Sequence, residues 1–286
     1  MTGRTAARAR QQTGVALIAV LWIVAALSII VTGLGQTVRG EIRLASNARE
    51  TAVAEALGDA AIHLVLQEMA VSSEKTKRLV TTNVVYQGHT IAVQIMPLNG
   101  LIDINQAPAP LLASLFSVAG GLSAGDAEKL AQATVETRER KDSLGRPEGF
   151  EANEDLLRVP NLGYDLYANI KNLVTADQPG SGKVNPMAAP EGVLRVLSGG
   201  NAQRADGIAQ NRDSGQTGID TTTLATAYTD DADTERFEIK ARVLLPSGAS
   251  LFVARSVDLG DGEAEGLPWR TFRTENRFMP ANGKAN

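Results

Sequence analysis

Cysteine is absent from the 286 residues, and histidine occurs only twice, at His63 and His89. The first absence excludes a disulfide scaffold, a thiolate nucleophile and any zinc or iron–sulfur site built on cysteine. The second excludes a multi-histidine metal centre. Aromatic residues make up 4% of the chain, too few for base-stacking surfaces or sugar platforms. Basic residues are the minority, 28 against 32 acidic ones, for a formal net charge of −4. That balance disfavours a general nucleic-acid binder. Proline is missing from Val15 to Met96, so nothing there forces a helix to break. The length allows one or two domains with a substantial core.

The first forty residues depart from these averages. Residues 1–14 carry Arg4, Arg8 and Arg10 and no acid. Val15 to Leu34 follows, with 17 of its 20 residues apolar, and no charge appears before Arg39. Twenty helical residues span roughly the 30 Å of a hydrocarbon layer. The basic flank predicts a cytoplasmic N-terminus by the positive-inside rule. The run is too long for a typical secretory h-region, and no small-x-small cleavage site follows it cleanly.

From Gln36 to about Val71 the apolar positions recur at three and four residues, which predicts a continuing amphipathic helix. His63 falls in it and reads as a packing or surface residue. Leu79–Tyr86 and His89–Met96 are rich in β-branched residues and flank Gln87-Gly88, which predicts a β-hairpin. Strand signal then stops until Glu235–Leu245, Ser250–Leu259 and Pro268–Thr274. The hairpin and the three late strands can form one antiparallel sheet on the long helix, with Pro97–Asp233 inserted between them.

The insertion contains a repeat. Ile102–Leu115 and Lys183–Leu197 each place a hydrophobic–Asn pair, Ile104-Asn105 or Val184-Asn185, ahead of an Ala-Pro step and helically spaced leucines. Gly120-Gly121 makes a tight connection, and Ser123 is placed to cap the following helix. Pro97–Asp233 holds 11 basic and 19 acidic residues. Arg138, Arg140 and Lys141 alternate with Glu136, Glu139 and Asp142, which reads as a solvated helix face. Gly180-Ser181-Gly182-Lys183 lacks the remaining Walker residues and reads as a flexible linker. Asp230, Asp231 and Asp233 cluster before a strand. With Asp177 they are candidate oxygen ligands for a hard cation such as calcium, although EF-hand spacing is absent. No general acid/base pair with a supporting nucleophile stands out, so an enzyme is not expected.

Taken together, a basic leader ending in Gly14, an apolar helix starting at Val15, a hairpin, a helical insertion and terminal strands resemble the pilins and pseudopilins. Within that group the resemblance is to the K-type minor pseudopilin of the type II secretion system. It implies an α+β fold: a long pilin-like N-terminal helix, half transmembrane and half periplasmic, packed on an antiparallel sheet. It also implies a large inserted α-helical domain of helix-hairpin-helix or SAM-like type. The implied divisions are a class III leader over 1–14 and a transmembrane helix over 15–35. A periplasmic helix and hairpin follow over 36–96, then the insertion over 97–233, late strands over 234–274 and a tail over 275–286. By the resemblance, a prepilin peptidase cuts between Gly14 and Val15, and Val15 is N-methylated. The glutamate that most family members carry at the fifth mature position is replaced by Ala19, as is characteristic of the K type at the fibre tip. The implied partners are the I and J minor pseudopilins and other pseudopilins, at the inner membrane, with no nucleic acid. The rival readings are a membrane-anchored helix-hairpin-helix receptor for DNA uptake and a minor pilin of a type IV pilus.

Overall fold

The computed structural model describes residues 7–72, 75–141, 143–178, 180–260 and 266–281, with side chains outside 7–14 and 29–40. The chain divides into two compact units, Met1–Ala54 and Glu55–Asn286. One helix, α1 (Ala7–Val71), supplies the first unit and enters the second. No proline interrupts it, as expected.

In the second unit five antiparallel strands form one sheet. They are β1 (Val80–Tyr86), β2 (His89–Pro97), β5 (Arg236–Leu244), β6 (Ser250–Asp258) and β7 (Arg270–Met279), in the order β1-β2-β5-β6-β7. Gln87 and Gly88 sit at φ 48° and 79°, so β1 and β2 are joined by a two-residue turn with both central residues left-handed. β2 pairs directly with β5, from Ala92↔Arg242 to Pro97↔Phe237, so the chain between them loops out from adjacent strands.

The looped-out region holds α2 (Ala109–Val118), α3 (Ala124–Arg138), α4 (Tyr164–Ile170), α5 (Glu191–Leu197) and α6 (Ala202–Asp213). It also holds two strands the sequence did not suggest, β3 (Ile102–Asp103) and β4 (Val174–Thr175), paired in parallel. They are two residues long, too short to show any alternation. The insertion has its own core, in which Ile104, Leu112, Leu115, Phe116, Leu156, Ile170, Val193 and Leu194 are all completely buried.

Period-2 alternation sorts the sheet into two faces. Ile91, Val93, Ile239, Ala241, Val253 and Val257 are buried on one of them. The α1 residues Leu57, Ala61, Ile62, Val65 and Leu66 are buried as well. Gly58 sits where the helix comes closest. A Cβ there would lie 2.6 Å from Val253 Cγ2. The β6–β7 flank is tied by polar contacts: Arg255 pairs with Asp59 at 2.8 Å, and Asn276 donates to Glu55 at 2.6 Å. His63, read as a packing or surface residue, is exposed and lies edge-on to Trp269 with centroids 6.0 Å apart. The late strand expected over Pro268–Thr274 runs on to Met279, so the first residues assigned to a tail are in the ladder.

The helix–sheet contact yields a stability test. Gly58→Val forces a β-branched side chain onto Val253 and should lower stability by about 1–3 kcal/mol. Thermal unfolding would show it as a Tm several degrees lower; an unchanged Tm would refute the close approach.

Candidate functional site

The residues expected at the processing junction, Gly14 and Val15, lie inside α1, as does Ala19. The side chain positions of 7–14 fall outside those described. From Val15 to Leu27 the large apolar side chains are exposed on every side of the helix. Val15 is 69% exposed, Trp22 72% and Leu27 55%. Among the described residues no helix is long and apolar enough to cross a membrane. Only Val15–Ser28 of the run expected to do so has described side chains.

The insertion is built from two matching halves. Asn105 is held from both ends: its Nδ2 donates to the Phe150 and Ala176 carbonyls, and its Oδ1 accepts from Phe150 N–H. Asn185 does the same work in the second half, donating to Lys77 O and accepting from Met187 N–H. Pro108 and Pro190 then open α2 and α5. Ser123 caps α3 by accepting from Asp126 N–H, and Asn201 caps α6 by accepting from Arg204 N–H. Gly121, Gly199 and Gly200 take left-handed φ values in the two connections.

The halves share a further feature the sequence reading missed. Arg138, in the last turn of α3, donates to the carbonyls of Ile104 and Ala107, the latter just ahead of Pro108. Arg212, in the last turn of α6, is buried and donates to the carbonyl of Ala189, just ahead of Pro190. Each arginine fastens the end of the second helix to the start of the first. Arg138 therefore does not belong to a solvated face. Its alternation with glutamates masked an inward guanidinium, and the signal that would have revealed it is its equivalence to Arg212.

The Gly180–Lys183 segment is packed rather than a free linker. Gly182 has φ 73°, and a Cβ on it would overlap the Gln106 carbonyl. Ser181 donates to Asp230 at 2.8 Å.

The four candidate cation ligands do not converge. Asp177 pairs with Arg273 at 2.9 Å and Asp233 with Lys77 at 2.7 Å, Asp230 receives the Ser181 hydroxyl, and Asp231 is exposed. Among the described residues no three His, Asp or Glu are grouped so as to hold a metal ion. Basic side chains from distant segments reach two of the four, Arg273 for Asp177 and Lys77 for Asp233.

Opposite α1, the sheet's second face is charged and self-paired. Lys240 meets Glu238 at 2.8 Å, and Arg277 meets Glu275 at 3.0 Å. The insertion overhangs this face and leaves a cleft of about 650 Å³, lined in part by Tyr164, Tyr167, Lys171 and Phe252. Burial, reinforced by Glu154, pushes the Tyr167 phenol up to about 12.

No protein-family model matches the chain, and no curated protein matches it. Among solved structures, a chain of the GspK-GspI-GspJ complex from the enterotoxigenic Escherichia coli type 2 secretion system is similar. The TM-score is 0.52 at 16% identity, over 81% of this chain and 98% of that one. The chain has a GspK-like fold. The mixture of helices with an antiparallel sheet described above is consistent with that fold.

Asp103, at the end of β3, is a strongly perturbed carboxyl of the insertion. It is 3% exposed, its Oδ1 accepts from Asn105 N–H at 2.8 Å, and its Oδ2 is enclosed without a partner. Burial raises its pKa to about 6, opposed by the backbone N–H groups of Asn105 and Gln106 and by Arg138. A carboxyl raised in the folded state favours folding at low pH. That contribution fades as pH climbs from about 4 through 6. A rise of that size corresponds to about 2–3 kcal/mol. Asp103→Asn keeps the Oδ1 acceptor and removes the titration. Its denaturant midpoint should therefore exceed that of the parent at pH 7, with the gain shrinking toward pH 4. A gain independent of pH would sink the assignment.

Proposed function

We propose that the chain is a minor pseudopilin of the type II secretion system, set at the tip of the pseudopilus and helping to start its assembly for export of folded periplasmic proteins. The observation that carries this reading is the GspK-like fold joined, in one chain, to a basic leader and an apolar helix divided at Gly14–Val15. The pilin-like label for α1 and its sheet, and the helix-hairpin-helix label for the insertion, belong to the same reading.

In this reading 1–14 is a leader, 15–35 spans the inner membrane, and the remainder is periplasmic. Removing the leader's three arginines leaves 25 basic against 32 acidic residues. The mechanism is assembly rather than catalysis. The apolar helix stores the subunit in the membrane and later packs against equivalent helices of the fibre. A carboxylate in the bilayer is costly unless paired. A subunit with no predecessor meets no terminal ammonium of an earlier subunit to pair such a carboxylate with, which suits Ala19 at the fifth mature position. The bulk of Pro97–Asp233 above the sheet limits stacking on top of it, which suits a cap. The solved complex is named for GspK, GspI and GspJ, and on that ground the I and J minor pseudopilins are the partners proposed here.

The DNA-uptake alternative is weakened by where the cations go. Phosphate binding relies on accessible basic residues that release counterions. Arg138 and Arg212 are instead spent on carbonyls inside the insertion.

Co-expression with a prepilin peptidase tests the reading. N-terminal mass spectrometry should find a mature chain beginning at methylated Val15, and Gly14→Val should abolish that product. An intact leader in the presence of active peptidase would refute it.

A further inference from the structure

Residues 55–286 carry two hydrophobic cores. One belongs to the sheet and α1, where Ile91, Val93, Ile239 and Val253 are buried with Leu57 and Ala61. The other belongs to the insertion and takes in Leu112, Phe116, Ile170 and Val193. From the sheet side it receives Met96 and Leu98 at the neck and Phe272 of β7. None of α2 to α6 packs closely along a strand of the sheet, and the main backbone contact is the single turn Leu98–Gly100 against β5. Where a packed interface would be, the insertion and the sheet's second face enclose the cleft of about 650 Å³. Bodies with separate cores and a small shared interface move relative to each other by default.

Two sets of contacts oppose such motion, and their chemistry differs. At the neck the ties are neutral: Asn99 donates to the Ala232 carbonyl, Asn185 to the Lys77 carbonyl, and Leu79 N–H to the Met187 carbonyl. Asn99, Asn185 and Leu79 are all buried. The other tie is ionic and stands to one side. Asp177, just after β4 of the insertion, pairs with Arg273 of β7 at 2.9 Å. β7 lies two strand spacings beyond β5, about 10 Å from the neck. Arg236 donates to the Asp177 carbonyl and lies over the Phe272 ring, 5.6 Å from its centroid. Asp177 lines both the cleft and a second cavity of about 530 Å³ beside Asp103 and Arg138. The ion pair therefore stands between two open spaces, with its side chains 20% and 31% exposed, and not inside apolar packing.

We infer that the insertion turns about the neck and that the Asp177–Arg273 pair is the latch that holds it down over the sheet's second face. With the latch closed, α4 roofs the cleft through Tyr164, Tyr167 and Lys171. With it broken, the buried neutral ties at the neck persist and the cleft opens on the β7 side. The inference does not depend on the function proposed above.

The absence of native cysteine lets two introduced ones report the motion alone. Glu128→Cys in α3 and Val85→Cys in β1, both at exposed positions, take spin labels in the full-length chain, and pulsed dipolar spectroscopy reads the distance between them. The labelled parent should give one narrow distribution. Asp177→Ala and Arg273→Gln should each bring in a second, displaced distance, about tenfold more populated than in the parent. The double variant should add no more than either change alone, because the same pair is lost in all three. Glu275→Gln removes a pair made wholly within β7 and should change nothing. A parent-like distribution in both latch variants would overturn the inference. So would an equal second distance from Glu275→Gln, or an unfolded chain in both latch variants, since bodies with their own cores fold without the tie.

Discussion

The architecture of residues 55–286 depends on a constraint at one point, the direct pairing of β2 with β5. Neighbouring strands lie about 4.8 Å apart, so the insertion must leave and return through a neck one strand spacing wide. Closing a long loop costs entropy that grows only slowly with its length. What matters is that the ends be held, and they are. Asn99 donates to the Ala232 carbonyl across the neck, and Asn185 N–H donates to the Asn99 carbonyl. Lys77 pairs with Asp233 and Lys75 with Glu235, binding the approach to β1 to the approach to β5. The salt bridges are exposed and contribute little each. The buried asparagine contacts supply the geometry.

The same neck explains why the repeat in the insertion is imperfect. Asn105 and Asn185 play equivalent parts within their halves, yet Asn185 reaches out to Lys77 while Asn105 reaches only to Phe150 and Ala176. The second copy stands at the neck and uses its amide to fasten the insertion to the sheet domain. The first is interior. A longer interval between asparagine and proline in the second copy goes with Met187, whose carbonyl receives Leu79 N–H from the edge of β1.

Much of this was legible in the residues and some was not, for reasons of physics. The β1–β2 hairpin was, because β-branched residues alternate on either side of Gln87-Gly88. The two Asn–Ala-Pro openings were, because cap and first-turn chemistry is local. The extent of β7 was not. An edge strand with both faces polar shows no alternation, so its second half looked like a tail. The inward turn of Arg138 was not, since a helix rich in charge reads as solvated unless a partner from another helix is known. The pairing of Asp233 with Lys77 and of Asp177 with Arg273 was not legible either. Clustering in sequence says nothing about the lysines and arginines that tertiary structure brings in.

Helix α1 meets two different demands, and its composition changes to suit them. From Val15 to Leu27 it is apolar all round. From Glu55 onward it has a buried stripe, with Glu55 and Asp59 placed to reach β6 and β7. An α-helix satisfies its own backbone hydrogen bonds, so it can pass from lipid to water without altering them. In the proposed reading this is why one unbroken helix serves as both anchor and spine of the sheet domain. Gly58 shows where the second role dominates. A glycine in a helix interior costs about 1 kcal/mol relative to alanine. It is retained at the point where Val253 leaves no room for a side chain. Close packing of helix on sheet therefore outweighs helix propensity there.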